Sequence, residues 1–282
     1  MTGFFSRLWI GLGRLLGSLI WLLGIRKRVA LDGLGRAFPQ LTEAERKALA
    51  KSAYRQFGQS LAELSLVRRL SDDELAGIVR FDGWEKYEAA AALGKGVVVA
   101  VGHYGNWELL MRACGRRGVK LTVLRRDLRG VFNRKLFAGR RKAGVGELLD
   151  KGVAGDAVAI LRRGETLALA VDQNMQLKKG VFVDFFGTPA CTTPAPAVLS
   201  LRTGAPLIAA FPVRGEGGTH RVVVQGPFRP AEHLKGHAAV LDVTQQFTKA
   251  VEAMVRAHPD HWYWLHRRWK TRPPAAKAPK SD

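Results

Sequence analysis

The chain of 282 residues contains only two cysteines, Cys114 and Cys191, which lie far apart in apolar stretches. So few cysteines exclude a disulfide framework, and we interpret both as free thiols of a reducing compartment. Neither lies in a motif that activates a thiol, which disfavours a catalytic cysteine. The sequence also lacks a helix-turn-helix, zinc-finger or single-strand-binding signature, so we expect no nucleic-acid partner.

Acidic side chains are scarce, because 24 Asp and Glu stand against 45 Lys and Arg and leave a net charge of +21. This excess predicts an anionic partner such as a membrane surface, a phosphorylated lipid or an acidic protein. The excess is greatest from Arg112 to Lys142, where twelve basic residues accompany one acid, Asp127. We interpret this stretch as an anion-receiving surface, although a solvated charged face has the same composition.

A clean, uncharged membrane span is missing near the N-terminus. The apolar segment Phe4 to Ile25 carries Arg7 and Arg14 on one helical face. This narrow polar stripe favours an interfacial anchor, while a short tilted span and a buried core helix remain open. The cations Arg26 to Arg28 follow and favour the cytoplasmic side. No small-residue cleavage site follows the apolar segment, so we do not expect a removed signal peptide. We therefore predict a membrane-anchoring helix at residues 1–28.

Strand and helix patterns alternate over the body of the chain, which predicts an α/β fold with a mostly parallel sheet flanked by helices. No linker divides this body, so we predict one domain at 29–272 and a disordered basic tail at 273–282. Capping boxes at Thr42 and Ser71 predict two helices before the sheet, the first ending near Val67. The predicted strands are Val97–Val101, Val119–Leu124, Thr166–Val171, Val181–Phe185, Pro206–Val213 and Arg221–Val224. The predicted helices are Trp107–Ala113, Val131–Lys142, Asp156–Arg162, Pro194–Thr203 and Leu241–Ala257.

The segment Gly96 to Glu108 contains the strongest candidate for catalysis. Its five apolar residues predict a strand buried on both faces, and Asn106 predicts the N-cap of the next helix. His103 then follows the carboxyl end of a central strand, where open α/β sheets usually place their chemistry. Glu108, in the first helical turn, could orient the imidazole so that its other nitrogen takes a proton from a substrate hydroxyl. A capped loop histidine followed by a glutamate that the helix dipole favours would have the same spacing. The segment offers no third ligand nearby, so we do not expect a metal site.

Three further segments carry candidate residues. Asp172 and Gln173 close a predicted strand and therefore reach the same edge as His103. The apolar segment Gly180 to Ala190 could wall an acyl chain or form core strand. The segment Pro259 to Pro273 mixes aromatic and basic residues, which suits a membrane interface, a phosphate-bearing ligand or packing of the C-terminus on the body.

Taken in order, these motifs resemble the late acyltransferases of lipid A biosynthesis, also called the lauroyl/myristoyl acyltransferase family. The resemblance runs from about residue 10 to 273 and is specific as an ordered set, since His-x4-acid alone is a weak signal. The matching segments are Leu34–Arg46, His103–Glu108, Asp172-Gln173, Val181–Gly187, Thr192-Thr193 and Trp264–Pro273.

The resemblance implies a glycerol-3-phosphate-acyltransferase-like α/β fold without metal or organic cofactor, at the cytoplasmic face of a bacterial inner membrane. It implies transfer of an acyl chain from acyl carrier protein to a hydroxyl of a glycolipid. His103 would be the general base and Glu108 its orienting partner, while Arg125, Arg140 and Asp172, which match further family positions, would bind substrate. Backbone N–H groups near Gly105 to Trp107, or Arg140, would stabilise the oxyanion. Outside the site, Arg116, Arg117 and Arg129 would steer the acidic carrier protein.

Two departures leave alternatives open. The N-terminal apolar helix is short and carries two arginines, so the resemblance does not settle a full span. Relatives that act on mannosylated phosphatidylinositol share the His-x4-acid motif, so the acceptor is either a lipid A precursor or another glycolipid. A non-catalytic basic membrane-binding scaffold is the distant alternative, and it predicts that changing His103 leaves function intact.

Overall fold

The computed structural model describes residues 3–67, 70–125, 145–149 and 154–274. The predicted helix Val131–Lys142, together with Arg140, lies outside these ranges. The described helices are α1 (Gly3–Leu22), α2 (Lys27–Ala37), α3 (Glu43–Val67), α4 (Asp72–Ile78), α5 (Trp84–Ala92), α6 (Trp107–Arg116), α7 (Ala154–Arg162), α8 (Ala195–Thr203) and α9 (Gly236–Ala257). The described strands are β1 (Val79–Asp82), β2 (Val97–Val101), β3 (Leu121–Arg125), β4 (Gly146–Leu149), β5 (Thr166–Ala170), β6 (Val181–Phe185), β7 (Thr188–Thr192), β8 (Leu207–Arg214) and β9 (His220–Phe228).

Seven strands form the central sheet in the order β1-β9-β8-β2-β5-β3-β4. The five strands from β8 to β4 run parallel, as predicted, while β9 is antiparallel to β8. The reversal follows from the connection, because the short turn Gly215 to Thr219 makes a hairpin and leaves no room for a crossover. The mixed α/β architecture with a mostly parallel sheet is therefore confirmed.

Strand β2 lies at the centre of the sheet with β5 on one side and β8 on the other. Its side chains alternate between two apolar cores, because Val98 and Ala100 pack on one face while Val97 and Val99 pack on the other. Helices cover both faces, which explains why this strand is an unbroken apolar run. The central position also places the residue that follows β2 in the middle of the carboxyl edge.

Strands β6 and β7 form a separate antiparallel hairpin outside the central sheet. The segment Gly180 to Ala190 therefore contains a strand as predicted, but the strand does not extend the main sheet. Phe185 is fully buried against the rings of Trp262 and Trp269. This hairpin is thus part of the core on which the C-terminal segment packs, which agrees with the core-strand alternative predicted for Gly180 to Ala190.

Both predicted capping boxes are present. The Thr42 amide and hydroxyl donate to the Glu45 carboxylate, and the Ser71 hydroxyl accepts from the Glu74 amide while the Ser71 amide donates to the Glu74 side chain. Helix α3 ends at Val67, where the sequence predicted it. Local capping chemistry is sufficient to set these helix starts, because it satisfies amides that have no partner inside the helix.

Helix α1 packs along α3 through glycines. A Cβ at Gly13 would lie 2.5 Å from the Cα of Gln59, and one at Gly17 would lie 2.1 Å from the carbonyl oxygen of Tyr54. The two backbones therefore touch, and the leucines of α1 point away from α3 and are exposed. Within the described residues, no single helix has the length and apolarity of a membrane span, although Leu8–Leu22 and Lys27–Ala37, bent by 95°, meet the criteria as a pair.

Candidate active site

The candidate site forms where β2 and β5 end side by side. Val101 pairs with Ala170 in the parallel register, so His103 and Asp172, each two residues further on, meet at the carboxyl edge of the sheet. The sequence predicted both residues at this edge. Their direct contact depends on β5 being the neighbour of β2, which is a property of the strand order.

Asp172 holds both the ring and the backbone of His103. Its Oδ1 accepts from the ring Nδ1 at 2.9 Å, and its Oδ2 accepts from the His103 amide at 2.6 Å and from Trp262 Nε1 at 2.9 Å. Burial opposes the ionised carboxylate, but the His103 ring and these hydrogen bonds outweigh it and lower the pKa of Asp172 to about 2. Asp172 is therefore an anion that fixes the Nδ1–H tautomer of His103.

The other ring nitrogen of His103 is directed toward Gln173. The Gln173 side-chain nitrogen lies 3.3 Å from His103 Nε2, and Trp107 packs edge-on against the ring at 5.4 Å between centroids. The imidazole is 28% exposed. With Nδ1–H donating to Asp172, Nε2 carries the lone pair that a general base requires.

Glu108 lies in the first turn of α6 and is buried. The structure places Asp172 at His103 Nδ1, the orienting position that the sequence spacing predicted for Glu108. A contact between Glu108 and His103 stays a prediction. The N-cap itself is as predicted, since Asn106 Oδ1 accepts from the Leu109 amide at 3.1 Å.

One of the predicted oxyanion donors is already engaged. The Gly105 amide donates to the carbonyl oxygen of His261 at 2.9 Å, so it does not face a substrate. Gly105 has a positive φ of 51°, and a Cβ there would lie 1.9 Å from the carbonyl oxygen of Pro212. This glycine is needed because the turn after His103 presses against β8.

A cavity of about 1190 Å³ opens beside His103, somewhat larger than the roughly 300–1000 Å³ of typical small-molecule sites. Its walls are apolar side chains from one face of the sheet and from α5 and α6. It reaches from the carboxyl edge at Ala170 to Thr166 at the start of β5, a run of about 13 Å at about 3.3 Å per residue.

Burial raises the pKa of Cys114, which also lines the cavity, to about 12, although Arg117 opposes the shift. Its thiol is therefore neutral, which disfavours Cys114 as a nucleophile.

Cations line the cavity at its His103 end. They are Arg26, Arg125, Lys179, Arg267 and Lys270. Arg26 is fixed there, because its Nη1 donates to the Leu265 carbonyl oxygen at 2.7 Å. Arg125 closes β3 and lines the cavity, so the structure brings this predicted site residue to the site. Its Nε lies 3.4 Å from the Glu147 carboxylate.

Two predicted steering arginines have partners elsewhere. The Arg117 guanidinium lies 4.5 Å from the ring centroid of Phe81 and 4.7 Å from that of Trp84, and Arg116 lies 3.5 Å from Asp73. Their role in binding a carrier protein stays a prediction. The third, Arg129, lies outside the described residues.

The C-terminal segment Pro259 to Pro273 has two roles. Trp262, Trp264 and Arg268 are buried, and Arg268 donates to the carbonyl oxygen of Cys191 at 2.9 Å. His266 lines the cavity, and burial is the main cause that lowers its pKa to about 4. The segment therefore packs the C-terminus on the body and also supplies polar groups to the cavity. No sequence signal singled out Trp262 or His266 as a site residue.

Together, the fold and the site define an enzyme with a carboxylate-oriented histidine beside a deep apolar cavity and a cationic entrance. Comparison with known proteins then identifies the family. A family model described as bacterial lipid A biosynthesis acyltransferase matches residues 3–271, and the chain belongs to this family of acyltransferases. The predicted resemblance is confirmed.

Among its relatives, the chain is 26% identical over 271 residues to a lipid A biosynthesis lauroyltransferase of Escherichia coli, covering 95% of this chain and 85% of that one. It is 25% identical over 263 residues to a lipid A biosynthesis myristoyltransferase of the same organism, covering 90% and 78%. It is also 28% identical over 193 residues to a phosphatidylinositol mannoside acyltransferase of Mycobacterium tuberculosis, covering 66% and 58%.

Proposed function

We propose that the protein transfers a fatty acyl chain from the thioester of acyl carrier protein to a hydroxyl of a lipid A precursor, with His103 as general base. The observation that carries this proposal is the His103–Asp172 pair at the entrance of an apolar cavity. Family membership supports an acyl donor and a lipid acceptor. The choice of carrier protein and the role of His103 are the finer steps of the proposal.

The chemistry follows from the tautomer. Nε2 of His103 takes the proton of the acceptor hydroxyl as its oxygen attacks the thioester carbonyl carbon. The tetrahedral intermediate collapses, the C–S bond breaks, and the imidazolium returns the proton to the departing thiolate. Asp172 stabilises the imidazolium without accepting its proton, because its pKa is about 2. Help of this kind contributes about 10²–10⁴ in rate.

The cavity suits the acyl chain. Its wall on the sheet side is built from short apolar side chains, including Val99, Ala168 and Ala210, which leave room above the strands. Burying a hydrocarbon chain there is favourable by about 0.8 kcal/mol per CH₂ group. The thioester then lies at the carboxyl edge, within reach of His103. None of the described lining residues comes from Gly180 to Ala190, so this segment is not the wall of the cavity.

The cationic entrance suits a phosphorylated acceptor. Arg26, Arg125 and Arg267 present guanidinium groups, which bind phosphate oxygens by paired, charge-assisted hydrogen bonds. A phosphate held at this end would leave the sugar hydroxyl near Nε2. The carrier protein, also an anion, would approach the same end.

Membrane attachment through α1 is part of the proposal. Leu15, Leu22 and Leu23 are 57%, 77% and 75% exposed, and they belong to a row of exposed leucines along α1 and the turn that follows it. This apolar row ends beside Arg26, which lines the cavity. Inserting the row into the cytoplasmic leaflet of the inner membrane would place the cavity entrance at the lipid headgroups.

The attachment is tested by co-sedimentation with vesicles that contain anionic lipid. Changing Leu15, Leu22 and Leu23 to Ser should reduce the bound fraction, because these side chains are exposed and their loss leaves the α1–α3 contact intact. Changing the exposed Leu177 and Leu201 to Ser is the matched control. Equal binding of both variants would show that another surface carries the attachment.

The transfer is tested with purified protein, lipid mass spectrometry and a matrix of donors and acceptors. Carrier-protein and coenzyme A thioesters serve as donors, and a lipid A precursor and a phosphatidylinositol mannoside serve as acceptors. We expect product from the carrier-protein donor and the lipid A precursor. The mannoside is the second candidate because a named relative acts on it. Product from the mannoside alone would reassign the acceptor.

A further inference from the structure

The turn that follows His103 is held at both ends. Asp172 binds the His103 amide at its start, and at its other end Asn106 caps α6. The Gly105 carbonyl oxygen accepts from the Ser60 hydroxyl at 3.1 Å, which connects the turn to α3. The relation between His103 and the start of α6 therefore depends on groups that are far away in sequence.

A buried ion pair lies behind the end of this turn. Glu63 Oε2 accepts from the Asn106 side-chain nitrogen at 2.6 Å, and Glu63 Oε1 accepts from Arg214. Arg214 also donates to Gln56 Oε1 at 2.9 Å and to the Ser60 hydroxyl at 3.1 Å. The side chains of Arg214 and Glu63 are only 5% and 11% exposed. Breaking such a pair is costly because it leaves an uncompensated buried charge.

The carboxylate of Glu63 determines how the Asn106 amide points. A carboxylate only accepts hydrogen bonds, so Asn106 must turn its NH₂ toward Glu63. This orientation leaves Asn106 Oδ1 free to accept from the Leu109 amide and to cap α6. Glu63 thus sets the cap, and the cap sets where α6 begins relative to His103.

We propose that Glu63, paired with Arg214, is a positioning residue for acyl transfer, which fixes the turn that carries His103 through the amide of Asn106. The inference rests on the proposed role of His103. It assigns to a glutamate in α3 a function that its position in the sequence does not indicate.

An exchange of carboxylate and amide tests the proposal. In Glu63→Gln, the new side chain has one oxygen for two donors, so an NH₂ group faces either Arg214 or the Asn106 NH₂. In Asn106→Asp, two carboxylates face each other. In the double variant, the introduced glutamine would accept from Arg214 through its oxygen and donate to the introduced aspartate through its NH₂ group. That aspartate would still cap α6, since aspartate is as good an N-cap as asparagine.

We expect each single variant to lose about 10- to 100-fold in kcat, because misplacing a catalytic group by about 1 Å costs about 100-fold. The KM for donor and acceptor should stay within about threefold, since the cavity is not changed. The double variant should recover most of the lost kcat. Glu252→Gln is the matched control, because Glu252 likewise pairs with an arginine and accepts from one neutral N–H group, here the Phe186 amide, but lies on α9.

All rates are measured at a temperature at which circular dichroism shows every variant to be folded, with His103→Ala in parallel. Wild-type kcat in Glu63→Gln, or a double variant no better than Glu63→Gln, would overturn the inference. Ser60→Ala gives a second test through the same turn if Glu63→Gln does not fold, and wild-type kcat in that variant would count against the inference too. A fully active His103→Ala would instead refute the proposed function.

Discussion

Asp172→Asn is the change that tests most specifically how the site works. In the wild type, Oδ2 accepts two N–H groups, from the His103 backbone and Trp262, while Oδ1 accepts the ring N–H. An asparagine has one acceptor oxygen, and we expect it to face the two fixed N–H donors. Its NH₂ group then faces His103 Nδ1 and forces the ring proton onto Nε2. The general base is lost although every atom is close to its original place.

The magnitude follows from the alternative orientation of the asparagine. Restoring the active tautomer requires the NH₂ group to face the two N–H donors, which leaves two buried donors without acceptors at about 1–3 kcal/mol each. The total of about 2–6 kcal/mol corresponds to a loss in kcat of about 30-fold to 2.5 × 10⁴-fold. Loss of the carboxylate charge that stabilises the imidazolium adds to this.

The assay is turnover of purified protein at saturating donor and acceptor, with folding checked by circular dichroism. Asp184→Asn is the matched control, because Asp184 is an exposed residue of β6 whose Oδ1 likewise accepts a backbone N–H, that of Gly187. KM should change little, since Asp172 is not among the residues that line the cavity. A kcat of Asp172→Asn within about threefold of the wild type would refute the tautomer argument.

Three further predictions concern neighbouring groups. Glu108→Gln should lose about tenfold in turnover, less than Asp172→Asn, because the structure places Asp172 at Nδ1; a larger loss in Glu108→Gln would make Glu108 the main partner of His103. Burial, and then the charge of Arg214, lower the pKa of His220 from 6.5 to about 3, so the unfolded chain takes up the proton first and stability is lost as pH falls below about 6.5. Between pH 7 and pH 5 this removes about 2 kcal/mol, and His220→Gln should show that much less acid destabilisation in urea titrations; an unchanged pH dependence would contradict the assignment. Ala168→Leu fills the middle of the cavity and should shift the product toward shorter acyl chains in a donor competition, whereas an unchanged chain preference would place the acyl chain elsewhere.

Local signals were enough to predict much of the fold. The apolar run Val97–Val101 and the capping boxes at Thr42 and Ser71 act within a few residues, and the corresponding elements start where they were predicted. The strands β1, β4 and β7 and the helix α5 were not predicted. Strands β1 and β4 have only four residues each, which is too few for a periodic pattern. The separation of the β6–β7 hairpin from the sheet depends on long-range packing, which one sequence does not reveal.

The residues of the site also divide into those that local signals predict and contacts that depend on long-range packing. His103 and Asp172 could each be placed at the carboxyl edge, since each follows an apolar strand. Their hydrogen bond could not be predicted, because it requires β5 to be the neighbour of β2, and strand order is not a local property. The contact between Glu63 and Asn106 joins residues 43 positions apart and has no local signal at all. Spacing along the chain favours the nearest carboxylate, Glu108, for the orienting position at His103, while the structure places a carboxylate from the adjacent strand there.

The central claim is that His103 activates a hydroxyl for transfer of an acyl chain. The most direct test is turnover of His103→Ala against the wild type, with purified protein, saturating acyl carrier protein thioester and lipid A precursor, and the acylated lipid quantified by mass spectrometry. Our account predicts that kcat falls by about 10²- to 10⁴-fold while the protein stays folded. Near-native turnover of the folded variant would contradict it.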